Sequence, residues 1–255
     1  MTKETAQAEM KVSAKDRLIV ALDVETAGKA LEIVAALKDY AGMFKIGSQL
    51  FTAAGPGVVR EMIAAGARIF LDLKFHDIPN TVARSGVEAA RLGVSIFNVH
   101  AVGGSEMMRR TVAEVHEASL REGFARPSII AVTALTSADS QALREVGFSS
   151  GVEEQVERLA RLAAECGMDG VVASPHEVSL VRAAARQAAS KDFLVVTPGV
   201  RPAGVGHGDQ KRVMTPGEAI RAGSSYLVVG RAILEAPDMA LAAERIISEI
   251  EKASE

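Results

Sequence analysis

The sequence alternates eight times between a short, continuously apolar run and a longer segment whose apolar residues recur at helical spacing. In the first unit, residues 17–23 form the apolar run, and Leu31, Val34 and Leu37 follow at helical intervals. Strands without polar alternation are typical of parallel sheets buried on both faces. Eight such units predict an α/β fold, a single-domain (β/α)8 or TIM barrel, with an open, doubly wound sheet as the alternative.

The expected elements cover most of the chain. The predicted strands are residues 17–23, 43–47, 67–74, 95–100, 128–135, 170–174, 193–200 and 226–230. The predicted helices are residues 27–40, 58–66, 80–92, 105–122, 152–166, 175–189, 215–222 and 237–250. Residues 1–15 are polar and are expected to form a flexible tail, so that the barrel domain spans residues 16–255.

Composition limits the classes of function. With 48% hydrophobic and 24% charged residues, the chain is typical of soluble globular proteins. A net charge of -3 and a pI near 6.0 lack the basic character of nucleic-acid-binding proteins and favour a small anionic substrate. No apolar run approaches the roughly 20 residues of a membrane span, and the N-terminus resembles no signal peptide. With a single cysteine, Cys166, this indicates a cytoplasmic protein without an internal disulfide.

Three ionisable residues follow one another closely at the end of the third predicted strand, in the sequence F-L-D-L-K-F-H-D-I-P-N of residues 70–80. Residues two apart in a strand project from the same face, so Asp72 and Lys74 are expected to share one surface. Pro79 cannot continue the strand ladder, which places Asp77 on the following loop. A simple surface ion pair, contributing about 0 to 1 kcal/mol, is the alternative interpretation.

Polar residues recur where the predicted strands end. These residues are Asp23, Lys45, Asp72, Lys74, His100, Thr133, Thr136, Arg201 and Arg231. The carboxyl ends of barrel strands carry the catalytic residues in this fold, so the accumulation predicts an active site there. Lys45 would lie between Asp23 and Asp72 on neighbouring strands, which predicts an alternating array of charges. A lysine whose ammonium group merely reaches solvent from a strand end is the alternative.

The last two units favour phosphate binding. Gly230 and Arg231 follow the eighth strand, and the glycine-rich residues 199–208 follow the seventh, as in the phosphate sites of barrels. An ordinary arginine at a strand end is the alternative. Residues 201–210 lack any periodicity, which predicts a mobile lid rather than a plain connector. The spaced glycines within them have the wrong context for a dinucleotide-binding loop.

A metal site is one interpretation of the residues at the ends of the third and fourth predicted strands. His76, Asp77 and His100 are residue types that bind several divalent ions. Lys74 lies two residues from Asp72, however, and its charge would repel a cation. The sequence therefore favours a site with no metal.

Seven short motifs together resemble one known family. They are A-L-D at 21–23, F-K-I-G at 44–47, F-L-D-L-K-F-H-D-I-P-N-T at 70–81, L-T-S at 135–137, T-P-G-V-R-P at 197–202, G-D-Q at 208–210 and V-G-R at 229–231. Spread over residues 18–231, they resemble orotidine 5'-phosphate decarboxylase in its bacterial short form. The resemblance implies a homodimeric barrel that converts orotidine 5'-monophosphate (OMP) to uridine 5'-monophosphate (UMP) and CO2, without metal or organic cofactor, as the last step of UMP synthesis.

The resemblance also implies roles for individual residues. It places Lys74, Asp72 and Lys45 in a catalytic charge network that Asp77 of the partner subunit joins. Asp72 would stress the substrate carboxylate, and Lys74 would stabilise and protonate the C6 carbanion. The substrate-binding residues would be Asp23 and Lys45 at the ribose, Thr136 at the pyrimidine, Arg201, Gln210, Gly230 and Arg231 at the phosphate region, and Ile78 and Thr81 from the central motif.

Two other functions stay open at this point. A metal-dependent sugar-phosphate decarboxylase or epimerase would share a D-x-K-x-x-D core. A nucleotide-binding barrel without catalysis would bind UMP and turn nothing over, although it has no use for clustered Asp and Lys side chains.

Overall fold

A computed structural model of the protein describes residues 12–136, 138–188, 192–202 and 214–254. Within these residues, eight parallel strands pair in chain order, and the last pairs with the first to close a barrel. The (β/α)8 prediction is confirmed, and the doubly wound open sheet is wrong. Residues 1–11 of the predicted tail lie outside the described part, and the domain boundary at residue 15 stays a prediction.

The elements have the following bounds. The strands are β1 Leu18–Ala21, β2 Met43–Gly47, β3 Ile69–Phe75, β4 Ile96–His100, β5 Ser128–Val132, β6 Gly170–Val172, β7 Leu194–Pro198 and β8 Tyr226–Val229. The α-helices are α1 Ala27–Leu37, α2 Ser48–Ala54, α3 Gly57–Ala64, α4 Pro79–Arg91, α5 Gly104–Glu122, α6 Ser140–Glu145, α7 Val152–Glu165, α8 Val178–Gln187, α9 Pro216–Ala222, α10 Arg231–Leu234 and α11 Met239–Ser254.

The structure differs from the predicted elements in two instructive ways. One helix was expected after β2, but two are present, because Gly55 adopts a left-handed φ of 67° and Pro56 follows it. The fifth strand ends at Val132 rather than at residue 135. Its register shows why: Val132 pairs with His100 and Val172, which are the last residues of β4 and β6, so no neighbouring strand continues beyond it.

Side chains of each strand alternate between the inside of the barrel and the surrounding helices. The interior cluster consists of Ile19, Ala21, Met43, Phe70, Ile96, Ile130, Val196 and Val228. Strand residues between them, such as Leu18, Val20 and Phe44, join the larger core under the helices. Burial on both sides explains why the strands read as continuous apolar runs.

The interior cluster also supports the mouth of the barrel. Ala21, Phe70 and Val228 belong to this cluster and line the cavity at the carboxyl ends of the strands. Packed apolar side chains therefore form the floor of that cavity, and polar residues one or two positions further along the strands can only project above it. No helix among the described residues is both long and apolar enough to cross a bilayer.

Candidate active site

A cavity of about 270 Å³ opens at the carboxyl ends of the strands. Its walls come from residues within or just beyond β1, β2, β3, β5, β6, β7 and β8. Eight of the residues singled out in the sequence line it: Asp23, Lys45, Asp72, Lys74, Thr136, Arg201, Gly230 and Arg231. The closed barrel thus brings together side chains that are up to about two hundred positions apart in the chain.

Asp72 and Lys74 share one face of β3, as predicted, and the Lys74 Nζ lies 2.7 Å from the Asp72 Oδ1. The register of β3 against β4 passes from Leu71↔Phe97 directly to Phe75↔Val99, so four steps along β3 match two along β4. Lys74 has a φ of 53°, the one positive φ among the described non-glycine residues. The strand therefore bulges at Lys74, and bulges re-aim side chains beside active sites.

Lys45 connects Asp72 to Asp23. Its Nζ lies 3.1 Å from the Asp23 Oδ1 and 3.3 Å from the Asp72 Oδ2. Together, the four residues Asp23, Lys45, Asp72 and Lys74 form the alternating array of charges that the sequence predicts. They come from β2, β3 and the residues after β1. The side chains of Asp72 and Lys45 are each only 12% exposed, which limits solvent screening of their attraction.

Asn98 of β4 completes this cluster, and the sequence arguments overlooked it. Its side chain is fully buried. The Nδ2 donates to the Asp72 Oδ1 at 2.7 Å, and the Oδ1 accepts from the backbone N–H of Lys74 at 2.8 Å. A signal was available, because Asn98 interrupts the apolar run of β4 and lies two residues from Ile96, which faces the barrel interior.

Gly47 leaves space for the ammonium group of Lys45. A Cβ atom at this position would lie 3.2 Å from the Lys45 Nζ and 3.7 Å from the Asp23 Oδ1. The backbone of Gly47 is extended, with a φ of -90°, so close approach rather than backbone conformation favours glycine here.

The opposite side of the mouth carries arginines and glycines. In the closed strand order β7 lies across the barrel from β3. Arg201 follows β7, and its backbone N–H donates to the Met214 carbonyl at 3.0 Å, which joins two described residues on either side of residues 203–213. Gly230 precedes α10, and Arg231 is the first residue of that helix. Residues 203–213, including Gln210 and most of the predicted lid, lie outside the described residues.

Among the predicted site residues that the structure describes, three do not line the cavity of their own chain: Asp77, Ile78 and Thr81. Asp77 and Ile78 are exposed on the loop between β3 and α4, where the Asp77 Oδ1 accepts from the Ile78 N–H at 2.6 Å. Ile78 is 66% exposed, an unusual environment for a large apolar side chain. Thr81 is exposed in the first turn of α4.

His76 begins this loop, and its ring centroid lies 5.6 Å from that of His100 at the end of β4. Burial lowers the pKa of His100, and the nearby His76 and Lys74 lower it further. Within the described residues, no three His, Cys, Asp or Glu side chains are grouped as a metal site would require. His76, Asp77 and His100 therefore do not form the metal-binding group that the sequence left open.

Known proteins resemble this chain along most of its length. Residues 16–246 match the sequence profile of the orotidine 5'-phosphate decarboxylase / HUMPS family. The orotidine 5'-phosphate decarboxylase of Geobacter sulfurreducens is 54% identical over 93% of this chain and 97% of its own. That of Moorella thermoacetica is 54% identical over 95% of both chains.

A solved structure agrees with these sequence matches. The crystal structure of orotidine 5'-phosphate decarboxylase from Lactobacillus acidophilus superposes with a TM-score of 0.80 at 39% identity, covering 91% of this chain and 98% of that one. The barrel, the profile match and the relatives at more than half identity lead to one conclusion: the chain belongs to the orotidine 5'-phosphate decarboxylase / HUMPS family.

Proposed function

We propose that this protein decarboxylates OMP to UMP and CO2, the last step of UMP synthesis. The observation that carries the proposal is the array of Asp23, Lys45, Asp72 and Lys74 at the barrel mouth. The named function of its relatives, orotidine 5'-phosphate decarboxylase, supports the same reaction.

The chemistry requires a cation at the reacting carbon. When CO2 leaves C6 of the pyrimidine, the electron pair has no adjacent carbonyl group to delocalise it, so the site must stabilise a carbanion electrostatically. The position of Lys74 supports this role, since the residue lines the cavity and its Nζ lies 2.7 Å from the Asp72 Oδ1. The same group then donates a proton to C6, which leaves the product uncharged at that carbon.

Asp72 acts on the other half of the breaking bond. A carboxylate 4 Å from the substrate carboxylate is repelled by about 4 kcal/mol at an effective dielectric of about 20. Asp72 receives hydrogen bonds or ion pairs from Lys45, Lys74 and Asn98, so it cannot turn away from the substrate without losing them. Departure of CO2 as a neutral molecule relieves the repulsion.

Other residues bind the parts of the substrate that do not react. Asp23, whose side chain is 58% exposed, and Lys45 are suited to the ribose hydroxyls, and Thr136 to the pyrimidine. Arg201, Gln210, Gly230 and Arg231 would bind the phosphate region. A phosphate held there, across the barrel from β3, supplies binding energy that keeps the ring against the charged array.

The active enzyme in this proposal is a homodimer with shared sites. Asp77 is exposed and does not line the cavity of its own chain. Ile78 and Thr81 are also exposed and do not line it. A partner barrel that covers this segment would bury Ile78 and bring the Asp77 carboxylate to the second lysine array. The Asp77 of the partner subunit would then complete the sequence of alternating charges.

The proposed reaction uses no metal or organic cofactor. Lys45 and Lys74 flank the Asp72 carboxylate with positive charge, which disfavours a cation in that position. A cytoplasmic location stays a prediction.

Direct assay tests the proposal. Purified protein with OMP and EDTA should convert the orotate absorbance to that of the uridine ring, with UMP and CO2 as products and no loss of rate from the chelator. A rate that EDTA abolishes and Mg²⁺ restores would favour the sugar-phosphate enzyme. Binding of UMP with no turnover of OMP would favour a nucleotide-binding barrel, and either result would overturn the proposal.

A further inference from the structure

Asn98 contacts both of the residues to which the reaction is assigned. It is fully buried at the end of β4, and it bonds the side chain of Asp72 with one end of its amide and the backbone of Lys74 with the other. We propose that Asn98 is a positioning residue that holds Asp72 and Lys74 in their reactive geometry. This inference rests on the proposed decarboxylation and deepens it.

The chemistry of the two partners determines the orientation of the amide. The Lys74 N–H is a donor and needs the amide oxygen, while the Asp72 carboxylate only accepts and needs the amide nitrogen. The reverse orientation would place oxygen against oxygen and nitrogen against nitrogen at distances of 2.7 and 2.8 Å. Asparagine therefore supplies a donor and an acceptor that an apolar side chain cannot replace.

The bond to Lys74 compensates for the interrupted ladder. Between Leu71 and Phe75 the pairing of β3 with β4 is broken. Lys74 adopts a φ of 53°, which residues with a Cβ atom rarely adopt. Its backbone N–H would otherwise lack a strand carbonyl, and the Asn98 Oδ1 accepts it in place of one. Loss of this acceptor should let Lys74 relax toward an extended conformation, which would move its ammonium group away from the cavity.

The bond to Asp72 completes a three-point hold on the carboxylate. Lys45 of β2 contacts the Oδ2, while Lys74 of β3 and Asn98 of β4 both contact the Oδ1. Of these three donors, only the amide is uncharged, so it orients the carboxylate without changing the net charge of the array. Electrostatic catalysis depends on such preorganisation, because groups already in place need not reorganise during the reaction.

A buried amide that merely satisfies its hydrogen bonds would act on stability alone. The two roles separate in kinetics, because a positioning residue changes kcat in protein that is folded and still binds UMP. Asn98→Leu keeps the branched shape and the number of non-hydrogen atoms and removes both bonds. Asn98→Asp restores them only when protonated, since a neutral carboxyl group donates its O–H to Asp72 and accepts from the Lys74 N–H through its carbonyl oxygen.

The experiment compares kcat, KM for OMP, Kd for UMP and thermal unfolding in wild type, Asn98→Leu, Asn98→Asp and a control, Thr197→Val. The control removes another fully buried polar group of a barrel strand, whose partner is Ser224, and leaves Asp72 and the lysines untouched. Asn98→Leu should lower kcat on the order of 100-fold or more, with a much smaller change in the UMP Kd. Thr197→Val should keep the kcat of the wild type.

The pH profile of Asn98→Asp gives a second, independent readout. Its kcat relative to that of the wild type should rise as the pH falls from about 8 to about 5, because protonation of the new carboxyl group restores the donor. That ratio can be measured even if Asn98→Leu does not fold. A ratio independent of pH, or folded Asn98→Leu with a kcat within about threefold of wild type, overturns the inference. Wild-type protein that does not decarboxylate OMP overturns the proposed function instead.

Discussion

The two sides of the barrel mouth are built differently. On the side of β2, β3 and β4, Lys45, Asp72, Lys74 and Asn98 all lie within strands and contact one another over 2.7 to 3.3 Å. On the side of β7 and β8, the residues assigned to the phosphate, Arg201, Gly230 and Arg231 among them, lie beyond the strand ends.

The two sides of the mouth therefore meet different requirements. Groups that must meet a developing charge within a few tenths of an ångström are best held on strands, whose backbone is restrained by two neighbours. Groups that grip a part of the substrate that does not react tolerate the freedom of loops, and a loop can admit and release the ligand. Substitutions on the two sides should therefore separate into effects on kcat and effects on KM.

The largest effect is expected at Lys74. Lys74→Ala should lower kcat by at least 100-fold, because it removes both the charge beside C6 and the proton donor, while much of the affinity for UMP should remain. Lys29→Ala, on the exposed face of α1, removes the same group from a residue that does not line the cavity and should leave kcat unchanged. A Lys74→Ala enzyme with more than about a tenth of the wild-type kcat would end the assignment.

Subunit mixing asks whether the strand side of the site is complete within one chain. Lys74→Ala and Asp77→Ala should each be nearly inactive alone. After exchange of subunits, about half of the dimers are hybrids with one intact site of two, so activity should recover to about a quarter of wild type.

The matched control for that experiment mixes Lys74→Ala with Asp72→Ala. Both residues line the cavity of one chain, so every site of this hybrid carries a lesion and no activity should return. Verified exchange without recovery in the first mixture would show that Asp77 serves its own subunit.

Arg231 tests the side of β7 and β8. Arg231→Ala should raise KM about 10- to 100-fold and lower kcat much less, because the guanidinium binds a group that does not react. For a substrate that lacks the phosphate, added phosphite dianion should restore turnover more effectively in the wild type than in the variant. The matched control is Arg245→Ala, which removes the same charge from the exposed face of α11. Unchanged nucleotide binding by Arg231→Ala would contradict the proposal.

A smaller effect is expected at Gly47. A methyl group there approaches the Lys45 Nζ to 3.2 Å, so Gly47→Ala should displace the ammonium group by a few tenths of an ångström. Since a displacement of about 1 Å can cost about 100-fold, we expect a loss of about two- to tenfold in kcat/KM. Gly28→Ala in α1 meets no atom within 4 Å and should keep the activity while raising the melting temperature slightly. Equal activity of the two variants would argue against a tight fit at Lys45.

The smallest effect concerns His100, which lies at the end of β4 beside the charged array. Because its pKa is lowered in the folded state, the folded protein binds fewer protons than the unfolded chain. The free energy of unfolding should therefore be fully retained above about pH 6.5 and should fall as the pH drops below it. His100→Gln should flatten this slope, whereas His116→Gln on the exposed surface of α5 should not. Urea unfolding at several pH values measures both slopes.

Local sequence patterns were sufficient to predict much of this protein. Continuous apolar runs indicate strands that are buried on both faces, and helical spacing indicates helices that are buried on one face. Eight strand–helix units of this kind close a barrel. Closure alone brings the strand ends together, so Asp23, Lys45, Asp72 and Lys74 could be assigned to one site from their places at those ends. Residue roles came from the resemblance of the motifs, and they stay proposals.

Only the tertiary structure decided the details of the array. Asn98 reaches Lys74 and Asp72 across 24 and 26 positions of sequence, and the bulge at Lys74 depends on the register of β3 against β4. A local pattern reports how one segment is buried, whereas register and contact depend on which segments become neighbours. For that physical reason the sequence by itself determined the barrel and the residues that meet at its mouth, and the folded chain alone determined how the charges are held.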